Sequence, residues 1–130
     1  MEAHEAQAGV RRLRLALAPD VHAPAAARRA LRELRLGEHA ADAVLLASEL
    51  VTNAVEHAGL APDERIELAA TCDGERTRVE VRHRGRGFSP DVPPGLGLRL
   101  LNRITERWGV ERNGVTCVWF ELVDRPRRVA

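Results

Sequence analysis

Apolar and polar positions in this chain repeat with two different periods, and the switches between them mark its elements. From Val10 to Ala18, Val10, Leu13, Leu15 and Leu17 interleave with Arg11, Arg12 and Arg14, mostly at a spacing of two, which predicts a half-buried strand. Pro19 closes it. Pro24 suits the first turn of a helix over Ala23 to Leu36, ended by Gly37, with Arg28, Arg29, Arg32 and Arg35 on a solvated side. The strongest helical signal follows from Glu38 to His57, where Val44, Leu45, Leu50, Val51, Ala54 and Val55 form a broad apolar surface. Ala58-Gly59 and Pro62 stop it.

Alternation then returns. Glu64 to Cys72 and Thr77 to His83 read as strands joined by the turn pair Asp73-Gly74. The stretch from Arg84 to Gly97 carries Gly85, Gly87, Pro90, Pro93, Pro94, Gly95 and Gly97, so it reads as a loop. A helix over Leu98 to Arg107 leads into a hairpin of Trp108 to Arg112 and Val115 to Val123 about Asn113-Gly114. The order β-α-α-β-β-loop-α-β-β implies a two-layer α+β sandwich: a mixed, mostly antiparallel sheet with helices on one face. A doubly wound fold would need strict strand–helix alternation, which is absent. The expected domain spans 10–123, with 1–9 a frayed arm and 124–130 a flexible tail.

Composition narrows the function. At 130 residues the chain suits one core, because single domains usually hold ~100–150 residues. Lys+Arg is 20 against Asp+Glu 19, a balance that disfavours a dedicated reader of nucleic-acid backbones. Every cation is Arg. The lack of Lys excludes a Walker-type phosphate loop and Schiff-base chemistry. No apolar run approaches the ~20 residues of a membrane span, and the polar start is unlike a signal peptide. Cys72 and Cys117, far apart and outside any CxxC spacing, read as reduced core thiols of a cytoplasmic protein.

Three features carry candidate chemistry. Glu49 and Asn53 stand four apart on the long helix and so project from one face, one turn apart. An acid and an amide there need solvent or a polar cavity, since burial without partners is costly. Gly85-Arg86-Gly87 follows a strand, and Gly95-Leu96-Gly97-Leu98 precedes a helix. Glycines admit close backbone approach, and a helix N-terminus offers free N–H groups, so together they make a phosphate cradle. Arg82, Arg84 and Arg86 alternate nearby, either facing phosphate or an acidic partner or lining a solvated strand edge. His57, four after Asn53, reads as a capping or packing residue, and Trp108, Trp119 and Phe120 read as core anchors.

The run SELVTNAVEHA (Ser48 to Ala58), the G-x-G-F of Gly85 to Phe88, the GLGL of Gly95 to Leu98 and the RWGV…TCVWFEL ending resemble the GHKL ATPase superfamily. Within it they look most like the small anti-sigma-factor serine kinases of actinobacteria, over roughly Leu13 to Leu122. The resemblance implies the Bergerat fold, with ATP held between sheet and helices under a glycine-rich lid. It implies Glu49 as general base and Asn53 as the Mg2+ ligand. Gly85, Gly87, Gly95, Gly97 and Leu98 would line the phosphate side, and Thr116 would supply the hydroxyl of the last box. It also implies a sigma factor and a STAS-type antagonist as partners, the latter phosphorylated on serine, and a homodimer, for which no patch in the sequence stands out.

One position departs from the pattern. His83 stands where the family has the Asp that accepts the adenine amino group. Loss of that charge-assisted bond predicts nucleotide affinity lowered by ~10–100-fold. The alternative reading is therefore a non-catalytic binding module that keeps the fold without nucleotide. A detached sensor-kinase catalytic domain is a third, less favoured because no phosphoacceptor helix pair precedes the domain.

Overall fold

A computed structural model describes residues 2–7, 9–85 and 96–123. The strands are β1 (Glu2–Gln7), β2 (Val10–Leu17), β3 (Ile66–Cys72), β4 (Arg76–His83), β5 (Arg107–Arg112) and β6 (Thr116–Val123). The helices are α1 (Ala23–Glu33), α2 (Ala40–His57) and α3 (Leu96–Ile104). The sheet runs β1-β2-β3-β4-β6-β5, and every neighbouring pair is antiparallel. The α+β class and the two layers are as the periodicity implies; the sheet is antiparallel throughout these strands.

Strand alternation decides which residues face the helices. On β4, Thr77, Val79, Val81 and His83 are buried, and their partners on β6 are Leu122, Phe120, Val118 and Thr116. Leu13, Leu17, Ile66 and Leu68 extend this face, and α1 and α2 close it with Ala27, Leu31, Leu46, Ala47, Leu50 and Val51. Each fully buried Leu, Ile or Val side chain among them stabilises the fold by about 1.5–3 kcal/mol. Two polar contacts fix α2 within the layer. His39, just before it, meets Thr77 Oγ1 through Nδ1 at 2.9 Å, and Arg28 of α1 donates to Ser48 Oγ at 2.8 Å.

The opposite sheet face carries charge. Arg78 and Arg82 both bind Glu80, each at 3.0 Å, and Arg78 also reaches Glu121 at 3.1 Å. Trp119 lies here and not in the core, because alternation sends it away from Phe120. Its ring sits 4.3 Å from the Arg78 guanidinium and 5.7 Å from that of Arg107. Gly109 faces it across the β5–β6 ladder, where a Cβ would come within 2.8 Å of the indole. Arg82 also belongs to this face, so it does not line the helix side. Phe120 is fully buried as expected, and Trp108 packs partly buried against the core with its indole donating to Asn102.

Burial alone would raise the Glu80 pKa, but the hydrogen bonds from Arg78 and Arg82 outweigh it and hold the carboxyl below its ordinary value. A depressed folded-state pKa adds stability above the unfolded value and loses it as pH falls through the folded one. Urea midpoints of the unaltered protein should therefore fall in acid, from the ordinary carboxylate range downward. Glu80→Gln should flatten part of that slope. An identical slope in the variant would show that the pair contributes nothing.

Several boundaries differ from the sequence reading. Residues 2–7 form β1 on the edge of β2, not a frayed arm, because backbone pairing with an open edge needs no apolar alternation. α1 ends at Glu33; Arg35 takes φ 56°, and a 3-10 turn over Gly37–His39 leads into α2. α3 starts at Leu96, two residues earlier than its glycines suggest. Cys72 and Cys117 are both free and buried, and burial pushes the Cys117 thiol up. The expected tail 124–130 lies outside the described residues. Among them, no helix is long and apolar enough to cross a membrane.

Candidate functional site

The site grows from the flank of α2. Its buried stripe of Ala43, Leu46, Ala47, Leu50, Val51 and Ala54 faces sheet and neighbouring helices. Glu49 and Asn53 border this stripe, half-buried and one turn apart. Ser48, about 100° around the helix from Glu49, takes the Arg28 guanidinium of α1. The acid and the amide therefore lie on the flank turned from that contact. Neither has a side-chain hydrogen bond to any of the described residues.

At the C-terminal end of α2 the chain of β4 comes in close. Gly85 has φ +91°, and a Cβ there would collide with the Ala58 carbonyl oxygen and lie 3.1 Å from Leu60 Cδ2. Only glycine fits both the backbone conformation and the space. This contact ties the exit of β4 to the end of the helix that bears Asn53. Sequence reasoning finds Gly85 by its spacing but has no signal for Ala58.

The sheet carries two more of the expected residues. His83, 6% exposed, pairs directly with Thr116, 5% exposed, across β4 and β6, both on the helix-facing side. His83 Nδ1 lies 2.8 Å from the Arg84 carbonyl oxygen. A carbonyl only accepts, so Nδ1 carries the hydrogen. Arg84 thus contributes its backbone, which its side-chain type could not have revealed.

The structure therefore brings together Gly85 with the end of α2, and His83 with Thr116; Glu49 and Asn53 share a flank. Gly97 and Leu98 lie in the first turn of α3, and this helix packs against α2. Gly87, Gly95 and Arg86 fall outside the described residues, as does most of the expected lid. His57 is 75% exposed at the end of α2, 3.6 Å from Glu56, where a histidine suits the helix C-terminus. Among the described residues, no three His, Cys, Asp or Glu side chains form a metal site of their own.

A family model for histidine kinase-like ATPase domains matches residues 15–122. The chain belongs to that family. The GHKL resemblance read from the motifs is thereby established for almost the whole described fold. A solved structure of the RsbU and RsbW domains of Rv1364c from Mycobacterium tuberculosis is similar, with 28% identity and a TM-score of 0.69. The match covers 92% of this chain and 34% of that one, so this ATPase-type domain spans about a third of its relative's length. No curated protein is similar enough to count as a relative.

The donor set fits a magnesium nucleotide. A carboxylate and an amide oxygen without partners among the described residues are hard ligands of the kind Mg2+ takes. The second nitrogen of His83 is likewise without such a partner.

Proposed function

We propose that this chain is an ATP-binding regulatory domain of the anti-sigma-factor type, cytoplasmic, that phosphorylates a serine on a STAS-type antagonist and binds a sigma factor. The observation that carries this reading is the Glu49–Asn53 pair on a half-buried flank of α2, without a side-chain hydrogen bond to the described residues, at whose end Gly85 is packed. The family match and the similarity to an RsbW-containing structure support it. Asn53 would hold Mg2+ through its amide oxygen, the other ligands coming from phosphate oxygens and water. Gly85, Gly87, Gly95, Gly97 and Leu98 would border the phosphates, and His83 with Thr116 the base. When bound, Mg-ATP supplies the transferable phosphoryl group.

The protein's own share of the chemistry is positioning and proton transfer. Glu49 takes the proton of the attacking serine hydroxyl onto its carboxylate. Its place on a helix braced by Arg28 and His39 keeps that oxygen from wandering.

The test is a fluorescent-ATP titration with and without Mg2+. The unaltered protein should bind more tightly with Mg2+, and Asn53→Ala should lose that increment, about tenfold for a single ligand. Equal, Mg2+-independent binding by both proteins would overturn the assignment of Asn53. Absence of binding by the unaltered protein, with or without Mg2+, would favour the second reading, a non-catalytic protein-binding module, for which the His83 departure is the supporting observation.

A further inference from the structure

We propose that the sheet face turned away from α1 and α2 docks an acidic amphipathic helix of a partner protein, at a cluster centred on Trp119. The cluster takes no part in the nucleotide reading above. Glu121 is buried with three guanidiniums around it: Arg78 at 3.1 Å, Arg107 at 3.4 Å and Arg76 at 3.8 Å. Glu80 takes Arg78 again and also Arg82, each at 3.0 Å. Two carboxylates are thus shared by four arginines, and positive charge is left over. The carboxylates also lie lower. The Glu80 and Glu121 side chains are 21% and 7% exposed, whereas those of Arg76, Arg82 and Arg107 are 53%, 48% and 63% exposed. This end of the sheet therefore presents guanidinium outward.

Trp119 gives the cluster an apolar centre. Its half-buried indole lies beside Arg78 and Arg107 and across Gly109, whose missing side chain makes the room. Trp and Arg are the residue types most enriched among those that dominate interface binding energy. On β3 the small residues Ala69 and Thr71, level with Glu80 and Arg78, leave space beside the taller side chains. Glu67 and Glu111 stand towards the other end of the strands, level with Arg82, and would repel an acidic partner from there. A helix suits the middle of a sheet face because its backbone bonds are satisfied internally, whereas a strand seeks an open edge. From β3 to β5 is three strand spacings, ~14 Å, which about ten helical residues cross. Carboxylates on such a helix meet Arg76, Arg78 and Arg107, and an apolar side chain meets Trp119. A nucleic acid is the poorer match, since guanidiniums already paired with carboxylates have less charge to offer phosphate.

The probe is a helical peptide of about 14 residues built from Glu, Leu and Ala, long enough to cross those strands. It is compared with the same peptide carrying Lys for Glu and with oligothymidine of similar length. Titrated without nucleotide at low salt, only the acidic peptide should shift the Trp119 emission and give binding heat, and the affinity should fall as salt screens the charges. Arg107→Glu should weaken it about tenfold and Trp119→Ala at least tenfold. Should Trp119→Ala fail to fold, Arg76→Glu at the exposed start of β4 tests the same cluster. No binding of the acidic peptide would overturn the proposal. So would equal binding of the Lys peptide or of oligothymidine, or an affinity unmoved by Arg107→Glu. A dimer in solution that Arg107→Glu dissociates would overturn it too, by placing a second copy on this face. None of these outcomes bears on ATP binding, which is titrated separately.

Discussion

Glu49→Gln is expected to slow phosphoryl transfer to a serine acceptor by about 10²–10⁴-fold, the usual contribution of a positioned general base. ATP affinity should hardly change. The amide keeps the length and shape of the carboxylate but has no oxygen basic enough to take the serine proton. Its surroundings favour a clean substitution: Glu49 is half-buried and makes no side-chain hydrogen bond to a described residue. Single-turnover transfer of labelled phosphate to a STAS-domain protein, beside an ATP titration, separates the two effects. Transfer at the unaltered rate would move the base elsewhere. Loss of ATP binding would show instead that the carboxylate serves the nucleotide and not the proton.

Gly85→Ala should destabilise the fold by about 3 kcal/mol, from a left-handed backbone and a backbone clash acting together. The two causes can be separated with a second glycine. Gly74, in the β3–β4 turn, has φ +97° but open space where a methyl would go, so Gly74→Ala carries strain alone, about 1–2 kcal/mol. Urea unfolding of both variants measures the difference, which belongs to the Ala58 carbonyl. Equal costs would mean that the backbone at Gly85 gives way without effort. A larger cost at Gly85 should come with weakened ATP binding, since the same contact sets where β4 leaves the sheet.

Much of this architecture is legible in the sequence. Asp73-Gly74 and Asn113-Gly114 announce their hairpins because few residues accept the backbone those turns require, and both glycines have positive φ. Glu49 and Asn53 stand out because a helix repeats its face every fourth residue. What stays hidden depends on tertiary neighbours. β1 has too few apolar or β-branched residues to signal a strand, and only the edge of β2 makes it one. Trp119 reads as core by type, yet its parity with Phe120 assigns it to the charged face, where Arg78 and Arg107 flank its ring. His83 reads as a simple loss. Its hydrogen bond to the Arg84 carbonyl is a backbone contact, which no side-chain pattern records.

The sheet order has a kinetic corollary. β1–β2, β3–β4 and β5–β6 are local hairpins, whereas β4 meets β6 only after the intervening segment with α3 and β5. Closing so long a segment carries an entropic cost that grows with its length, so this seam is expected to zip late. His83 and Thr116 face each other across that seam. This pair is thus assembled at a non-local seam, as is the still longer-range β2–β3 ladder across α1 and α2, and a ligand bridging it would act as a clasp, slowing amide exchange along β4 and β6 more than along β1 and β2.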